Sequence, residues 1–184
     1  MLNKAIVFAV ERHKGAFRKG TKIPYITHPL EALSIGATIT NDLELLSACV
    51  LHDTLEDTNT TFNEIKEKFG LRVAKLVYFD SENKREGVSP EKTWEIRKNE
   101  TLKRLETANR DEQIIVLSDK LSNLRAIFRD YKDSGEKFWD RFYCKDLNKQ
   151  GWYYKSIAER LSLLTETHAY KEYCSILDEV FVQY

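Results

Sequence analysis

The segment LHDTLEDT, residues 51–58, joins an apolar helix to a His-Asp pair and two further acids, a combination that is typical of a helical metal-binding fold. Apolar residues in the segment 43–50 recur at spacings of three and four, which predicts a helix capped by Asn41. Glu56 and Asp57 stand four residues after the His-Asp pair, so a continuing helix places them one turn further on the same side. Acidic side chains near a helix C-terminus interact unfavourably with the helix macrodipole. Because Glu56 and Asp57 destabilise the helix slightly, their presence indicates a functional role.

The His-Asp pair itself, His52 and Asp53, has donor atoms for a divalent cation. Adjacent helical residues point about 100° apart, but both reach an ion that lies over the face between them. Two further residues can complete the coordination of the metal. His28 lies at the start of a second helix, which Pro29 marks, and Asp119 follows the apolar run 114–117. Imidazole and carboxylate donors without thiolates suit a first-row metal, and manganese, iron and zinc all fit.

The acids Glu56 and Asp57 indicate the chemistry. A metal lowers the pKa of bound water, and a nearby carboxylate can deprotonate that water or pass its proton to a leaving group. The predicted reaction class is therefore hydrolysis. Each element alone is more often structural, since a two-residue match such as His-Asp arises by chance. Their joint occurrence favours a site.

The composition predicts a helical protein. Its 184 residues, 21.6 kDa, suit one domain over residues 1–184 and leave no room for a second catalytic module. With 42% apolar residues but only seven Gly and three Pro, the chain favours an all-α bundle, and its helical periodicities indicate roughly eight to ten helices. The 29 basic and 29 acidic residues balance, which argues against DNA or RNA as a partner.

The sequence also favours a cytoplasmic location. Cys49, Cys144 and Cys174 are far apart and odd in number, which argues against a disulfide framework or a structural zinc site. No stretch approaches the roughly 18 apolar residues of a membrane span, and the N-terminal segment lacks the long apolar run of a secretory signal. We expect no membrane association.

Helical signals recur along the rest of the chain. Thr61 and Glu64 form a predicted capping box before a short helix that Gly70 closes, and residues 81–89 are polar, as in a loop. Further helices are predicted over residues 2–13, 71–79, 90–107, 111–129 and 150–182, the last interrupted near residues 165–168.

Three motifs in this order resemble a known family: RKGTKIPYITHP (18–29), LHDTLEDT (51–58) and LSDKLSNLRAI (117–127). They resemble the HD-superfamily hydrolase domain of the RelA/SpoT alarmone enzymes, and are most similar to the stand-alone small alarmone hydrolases of the Mesh type. The resemblance extends through FNEIKEKFG, TWEIRKNETLKRLETA and WYYKSIAERL, so it involves nearly the whole chain.

The resemblance implies a manganese-dependent 3′-pyrophosphohydrolase that converts guanosine tetra- or pentaphosphate to GDP or GTP plus pyrophosphate. It implies one Mn²⁺ on four ligands, an acidic pair that activates water and assists proton transfer, and six substrate contacts. The ligands are His28, His52, Asp53 and Asp119; the acidic pair is Glu56 and Asp57; the substrate contacts are Arg18, Lys19, Tyr25, Asn123, Lys149 and Tyr153.

Other readings of the same residues stay open. Arg18 and Lys19 are compatible with a solvated pair, and the aromatic Tyr153 with ordinary packing. Trp94, Arg97 and Lys98 share one helical face, where core packing and solvation are commoner than a place in a site.

The function has alternatives too. An HD phosphohydrolase acting on another nucleotide, such as a nicotinamide dinucleotide phosphate, is a rival enzyme. A noncatalytic nucleotide sensor or toxin-neutralising partner is a rival of another class, although the acidic pair argues against it. A homo-oligomer is compatible with the sequence.

Overall fold

Helices make up the structure, a computed structural model that describes residues 1–85 and 87–181, apart from the side chains of residues 134, 136 and 137. The α-helical segments are α1 Leu2–Arg12, α2 Thr27–Gly36, α3 Leu43–Leu51, α4 Thr54–Asp57, α5 Phe62–Phe69, α6 Leu71–Asp80, α7 Pro90–Leu105, α8 Arg110–Ser134, α9 Leu147–Arg160 and α10 His168–Phe181. Two 3₁₀ segments, Gly135–Arg141 and Ser162–Leu164, flank α9. Within the described residues the only β pairing is an isolated bridge between Phe17 and Pro24, so the all-α prediction is confirmed.

The long helix α8 lies at the centre of the fold. It packs against α2, α3, α6 and α10, and its residues Ile115, Leu117, Leu121 and Leu124 are completely buried in one continuous apolar core. Burial of each such side chain stabilises the fold by about 2 kcal/mol. Because α8 is held on several sides, its polar residue Asp119 has a fixed position among its neighbours.

Helix α8 extends beyond the predicted range 111–129 at both ends. Its start is fixed by a capping box: the Asn109 side chain accepts hydrogen bonds from the backbone N–H groups of Asp111 and Glu112, at 2.9 and 3.1 Å, and Glu112 accepts from the backbone N–H of Asn109. Both partners satisfy N–H groups that a helix start leaves unpaired.

Helix α3 differs from its prediction at both ends. Its N-cap is Asp42 rather than Asn41, because the Asp42 carboxylate accepts the N–H groups of Glu44 and Leu45. The helix ends at Leu51 instead of continuing through the acids, since side chains bind its last carbonyl groups. The Nδ1 of His52 contacts the Cys49 carbonyl and the Thr54 hydroxyl donates to the Leu51 carbonyl.

The remaining predictions hold with smaller corrections. Thr61 caps α5 and Gly70 closes it at φ +96°, but the Glu64 carboxylate pairs with Arg12 rather than completing a capping box. The break in the last predicted helix spans 161–167, earlier than expected, and residue 182 lies outside the described residues.

In the part of the chain that the structure describes, no helix is both long and apolar enough to cross a bilayer.

Candidate metal and active site

Four side chains from distant parts of the sequence converge on one point. The Nε2 atoms of His28 in α2 and His52 after α3 lie 3.1 Å apart. Asp119 of α8 brings Oδ1 to 3.1 Å from His28 Nε2 and 3.6 Å from His52 Nε2. Asp53 brings Oδ2 to 3.4 and 3.0 Å from the same two nitrogens. The structure thus brings together all four predicted ligands.

Hydrogen bonds on the far side of each imidazole fix which nitrogen faces this point. The Nδ1 of His52 lies 2.9 Å from the Cys49 carbonyl oxygen, which only accepts, so Nδ1 carries the proton. The Nδ1 of His28 lies 2.7 Å from the Ser122 hydroxyl, which itself donates to Glu31 at 2.8 Å. Both Nε2 lone pairs therefore point at the same small volume, an arrangement that favours a cation between them.

The electrostatics of the cluster lead to the same conclusion. The side chains of His28, His52 and Asp119 are 2%, 1% and 5% exposed. Burial opposes charge on the Asp53 and Asp119 carboxylates, but positive charge close by, on the imidazoles when they are protonated and, for Asp119, on the ammonium of Lys120, holds both pKa values well below their usual range. A metal ion between the two Nε2 atoms replaces such a proton. Carboxylate and imidazole donors within 4.8 Å of one another, as in His28, His52 and Asp119, can hold a divalent metal.

The predicted acidic pair lies beside this cluster, on the short helix α4. Glu56 Oε2 accepts the backbone N–H of Glu82 at 3.1 Å. Burial, together with the charges of Glu82 and Asp53, raises the pKa of Glu56 to about 7. Asp57 Oδ2 accepts from the Tyr25 phenol at 2.8 Å. The backbone N–H of Asp57 bonds to the Asp53 carbonyl at 2.9 Å, which preserves the predicted one-turn spacing across the helix break.

A polar cavity of about 190 Å³ connects the acids to three cations, two of which, Arg97 and Lys98, were expected to lie outside the site. Arg97, Lys98 and Lys120 line it, with Arg97 only 9% exposed. Arg97 and Lys98 pair with Glu82, and Lys120 pairs with Asp119. The sequence held a signal for this burial: Arg97 and Lys98 share a face of α7 with Trp94, whose ring lies in the core.

A second, larger cavity of about 490 Å³ begins at the cluster and runs towards the 3₁₀ segment Gly135–Arg141. The predicted substrate residues Arg18, Lys19, Tyr25 and Asn123 all line it. Its apolar wall consists of residues that were not among the predicted substrate contacts: Ile23, Ala126, Ile127, Phe138, Phe142 and Tyr154. A cavity with an apolar wall and polar groups at one end can take up a nucleoside.

Asn123 connects the two cavities through hydrogen bonds. Its amide N–H donates to Asp119 Oδ1 at 2.6 Å, and its carbonyl oxygen accepts from the Arg18 guanidinium at 2.8 Å. Asn123 therefore orients a predicted metal ligand as well as a cation of the larger cavity. The ammonium of Lys19 lies 3.4 Å from the ring centroid of Tyr143, at the rim.

Two predicted substrate contacts lie elsewhere. Lys149 is on the outer face of α9, where its ammonium pairs with Glu95 at 3.2 Å, and it lines neither cavity. Tyr153 is 2% exposed and packs inside the protein, with the ammonium of Lys98 4.7 Å from its ring centroid. The helical turn of α9 directs the neighbouring Tyr154 to the cavity wall instead.

Known proteins that resemble this chain define its family. The HD domain family matches residues 5–139, and the chain belongs to that family. The MESH1 proteins of Xenopus tropicalis and Danio rerio, both named guanosine-3′,5′-bis(diphosphate) 3′-pyrophosphohydrolase, are 39% and 34% identical over 135 residues, which is 70% of this chain and 70% of each relative. An Aquifex aeolicus protein of the same enzyme name is 38% identical over 138 residues, 71% of this chain, but this chain spans only 18% of that relative.

Solved structures share the fold. The lmo0812 protein of Listeria monocytogenes EGD-e superposes with a TM-score of 0.73 at 31% identity, covering 86% of this chain and 96% of that one. A metazoan ortholog of SpoT, described as hydrolysing ppGpp, gives a TM-score of 0.74 at 22% identity and covers 99% of this chain and 94% of that one. The family resemblance predicted from the sequence is confirmed.

Proposed function

We propose that this protein is a manganese-dependent 3′-pyrophosphohydrolase that converts guanosine tetra- or pentaphosphate to GDP or GTP and pyrophosphate. The observation that carries the proposal is the convergence of His28, His52, Asp53 and Asp119 with both Nε2 lone pairs directed inwards. The names of the MESH1 relatives support the substrate. Mn²⁺ accepts this mixture of imidazole and carboxylate donors.

The acidic pair performs the proton transfers in this proposal. When bound, a divalent cation supplies positive charge that stabilises phosphoryl oxygens and favours ionisation of water. Asp57, with one oxygen on the Tyr25 phenol, orients the attacking water and accepts its proton. Glu56 can release or take up a proton near neutral pH because its pKa is raised to about 7. It assists the departing pyrophosphate.

The cations of the polar cavity stabilise the pyrophosphate. Arg97 is buried, Lys98 and Lys120 are half-buried, and their local partners are Glu82 and Asp119. Positive groups held in fixed positions in a protein cavity stabilise developing phosphate charge more strongly than mobile cations in water. A departing group with two phosphates fits this cluster better than a single orthophosphate.

The larger cavity holds the nucleoside. Arg18 and Asn123 lie at its polar end, next to the metal ligands, and the rings of Phe138, Phe142 and Tyr154 form its wall. A purine packs on such rings, and its sugar then lies between the aromatic wall and the ligand cluster. We place guanosine there, with its 3′-diphosphate towards Glu56 and Asp57.

The experiment is turnover by purified protein with MnCl₂ and a panel of nucleotides, with products separated by anion exchange. We expect pyrophosphate from guanosine tetra- and pentaphosphate. Release of orthophosphate from a nicotinamide dinucleotide phosphate, with no cleavage of the tetraphosphate, would identify the rival enzyme. No turnover of any nucleotide, with retained nucleotide binding, would identify a sensor.

Two variants test the assigned roles. Asp57→Ala should abolish hydrolysis while Mn²⁺ binding persists, whereas His52→Ala should lose both. Asp178→Ala, an exposed acid on α10, is the matched control and should behave as wild type. Wild-type turnover by Asp57→Ala would reject its role. A single domain over residues 1–184, a cytoplasmic location, the absence of DNA and RNA partners, and the oligomeric state stay predictions.

A further inference from the structure

Two side chains, Tyr25 and Lys84, hold the Asp57 carboxylate, and Lys84 has no role in the proposed hydrolysis. Its Oδ2 accepts from the Tyr25 phenol at 2.8 Å. Its Oδ1 forms an ion pair with the ammonium of Lys84. Because both oxygens have partners, the carboxylate cannot rotate without breaking a contact. Lys84 is one of the two residues that fix its direction.

The hydrogen bond from the Tyr25 phenol does not by itself fix the orientation of the Asp57 carboxylate. Tyr25 Oη lies 2.7 Å from Asp53 Oδ2 and 2.8 Å from Asp57 Oδ2, but a phenol carries one proton and can donate to one carboxylate at a time. Two ionised carboxylates so close to one oxygen repel each other unless a cation compensates. Lys84 supplies that charge at Asp57, and its ammonium is also 3.6 Å from Glu56 Oε1.

The segment after α6 places Lys84 beside Glu56 and Asp57. The backbone N–H of Glu82 bonds to Glu56, and the Glu82 carboxylate pairs with Arg97 and Lys98 on α7. One residue beyond Lys84, Arg85 takes a positive φ of +52° and pairs with Glu100, also on α7. Contacts on both sides of Lys84 thus hold it over the acids.

The other cations near the acids are committed elsewhere. Lys98 pairs with Glu82 and Lys120 with Asp119, and these two lysine side chains are only 16% and 12% exposed. Lys84 is 48% exposed, so it reaches the acids from the open side of the cavity. Within residues 1–85 and 87–181, Lys84 is the cation whose ion pair fixes Asp57.

We propose that Lys84 is a positioning residue, which holds the Asp57 carboxylate in the orientation that the hydrolytic step needs. It acts through Asp57 and does not bind substrate, so its loss changes turnover rather than substrate affinity. The inference rests on the proposed function, because it assumes that Asp57 is the group that handles the attacking water.

The test is steady-state kinetics on guanosine tetraphosphate with MnCl₂. Lys84→Met should lower kcat at least tenfold and leave KM within twofold of wild type, and Lys84→Arg should recover at least a third of the lost activity. Lys145→Met is the matched control, since Lys145 is an exposed lysine paired with Asp140 at 3.3 Å, and its kcat should equal wild type.

Two kinetic results would overturn the inference. A kcat for Lys84→Met within twofold of wild type would show that Asp57 needs no such support. A tenfold rise in KM with unchanged kcat would make Lys84 a substrate contact.

A readout without substrate separates this inference from the proposed function. The melting temperatures of Lys84→Met, Asp57→Asn and the double variant should be non-additive, with the double variant losing less than the two single variants together. If wild type cleaves no guanosine tetraphosphate but the cycle is non-additive, the proposed function fails and the contact stands. If wild type is active and the cycle is additive, the inference alone fails.

Discussion

Ser122 links the predicted ligand His28 to the carboxylate of Glu31. Its hydroxyl lies 2.7 Å from His28 Nδ1 and donates to Glu31 at 2.8 Å, which directs the proton of the imidazole away from the metal position. Ser122→Ala removes this orientation without touching a ligand. Since loss of such an outer partner typically weakens metal binding about 10–100-fold, we expect that decrease in Mn²⁺ affinity, measured by titration calorimetry.

Ser34→Ala is the control for that variant. Ser34 is an exposed serine on α2, the helix that carries His28, and its hydroxyl donates to the Leu30 carbonyl of its own helical turn. Its Mn²⁺ affinity should equal that of wild type. An unchanged affinity in Ser122→Ala would mean that helix packing alone orients His28.

Glu82 makes stability depend on acid pH. Burial opposes its charge, but Lys98 and Lys120 outweigh that cost and lower its pKa from 4.5 to about 2. A carboxyl group whose pKa is lower in the folded protein than in the unfolded chain stabilises the folded state fully at pH values above the unfolded-state pKa. This stabilisation is lost as the pH falls towards and through the folded-state pKa. The shift corresponds to about 3 kcal/mol, most of it lost between pH 5 and pH 3.

Glu82→Gln should remove this part of the acid sensitivity. Urea unfolding at pH 5 and pH 3 should show a smaller drop in the free energy of unfolding for the variant than for wild type, by about 2 kcal/mol. The variant should be less stable at pH 7, because Arg97 and Lys98 lose their partner. Equal drops in both proteins would contradict the assigned pKa.

The capping box of α8 stabilises the helix that carries Asp119. Asn109 is exposed, so its contribution comes from its two backbone hydrogen bonds rather than from packing. Asn109→Ala should reduce the free energy of unfolding by about 1 kcal/mol. Activity per folded molecule should not change, because Asn109 lies ten residues before Asp119, almost three helical turns away.

Chemical denaturation and kcat measure these two effects separately. Asn148→Ala is the matched control: Asn148 is an exposed asparagine in the first turn of α9, where the cap is Asp146. Its stability should stay within about 0.5 kcal/mol of wild type, as is usual for surface positions. A loss as large as that of Asn109→Ala would show that the cap has no special contribution.

Sequence periodicity predicted most of the helices, because their apolar stripes and end residues act locally. It extended the helix that begins near residue 42 through the acids, since no local rule indicates that His52 and Thr54 bind the last carbonyl groups of α3. The predicted metal ligands could be named because each stands in a short motif. Their convergence follows from the packing of α2, α3 and α8, which no local pattern contains.

The substrate side of the site was harder to predict. Lys149 and Tyr153 were placed by resemblance in a helix whose rotation depends on packing against α7 and α10, and that rotation turns one outwards and the other inwards. Arg97 and Lys98 looked solvated because cations usually are. Their shielding from solvent depends on Glu82, which approaches from the loop before α7, a contact that no helical periodicity indicates.

The ligand cluster joins parts of the chain that are up to 91 residues apart. His28 comes from α2, His52 and Asp53 from the break after α3, and Asp119 from α8. The unfolded chain does not hold these groups together, so an ion bound by all four stabilises only the folded state. The same cluster brings two carboxylates and two inward-facing lone pairs close together, and their repulsion is relieved by a cation.

Mn²⁺ should therefore raise the melting temperature. At a free concentration of about 100 times its dissociation constant, a ligand of the folded state alone stabilises it by about 3 kcal/mol, which corresponds to roughly 5–10 °C for a chain of this size. Differential scanning fluorimetry with MnCl₂, and again after EDTA, measures the shift. His52→Ala should show no shift, whereas Asp57→Ala should keep it, because Asp57 contacts Tyr25 and Lys84 rather than the ligand nitrogens. A melting temperature of wild type that is the same with MnCl₂ and with EDTA would mean that the four side chains do not bind the ion together.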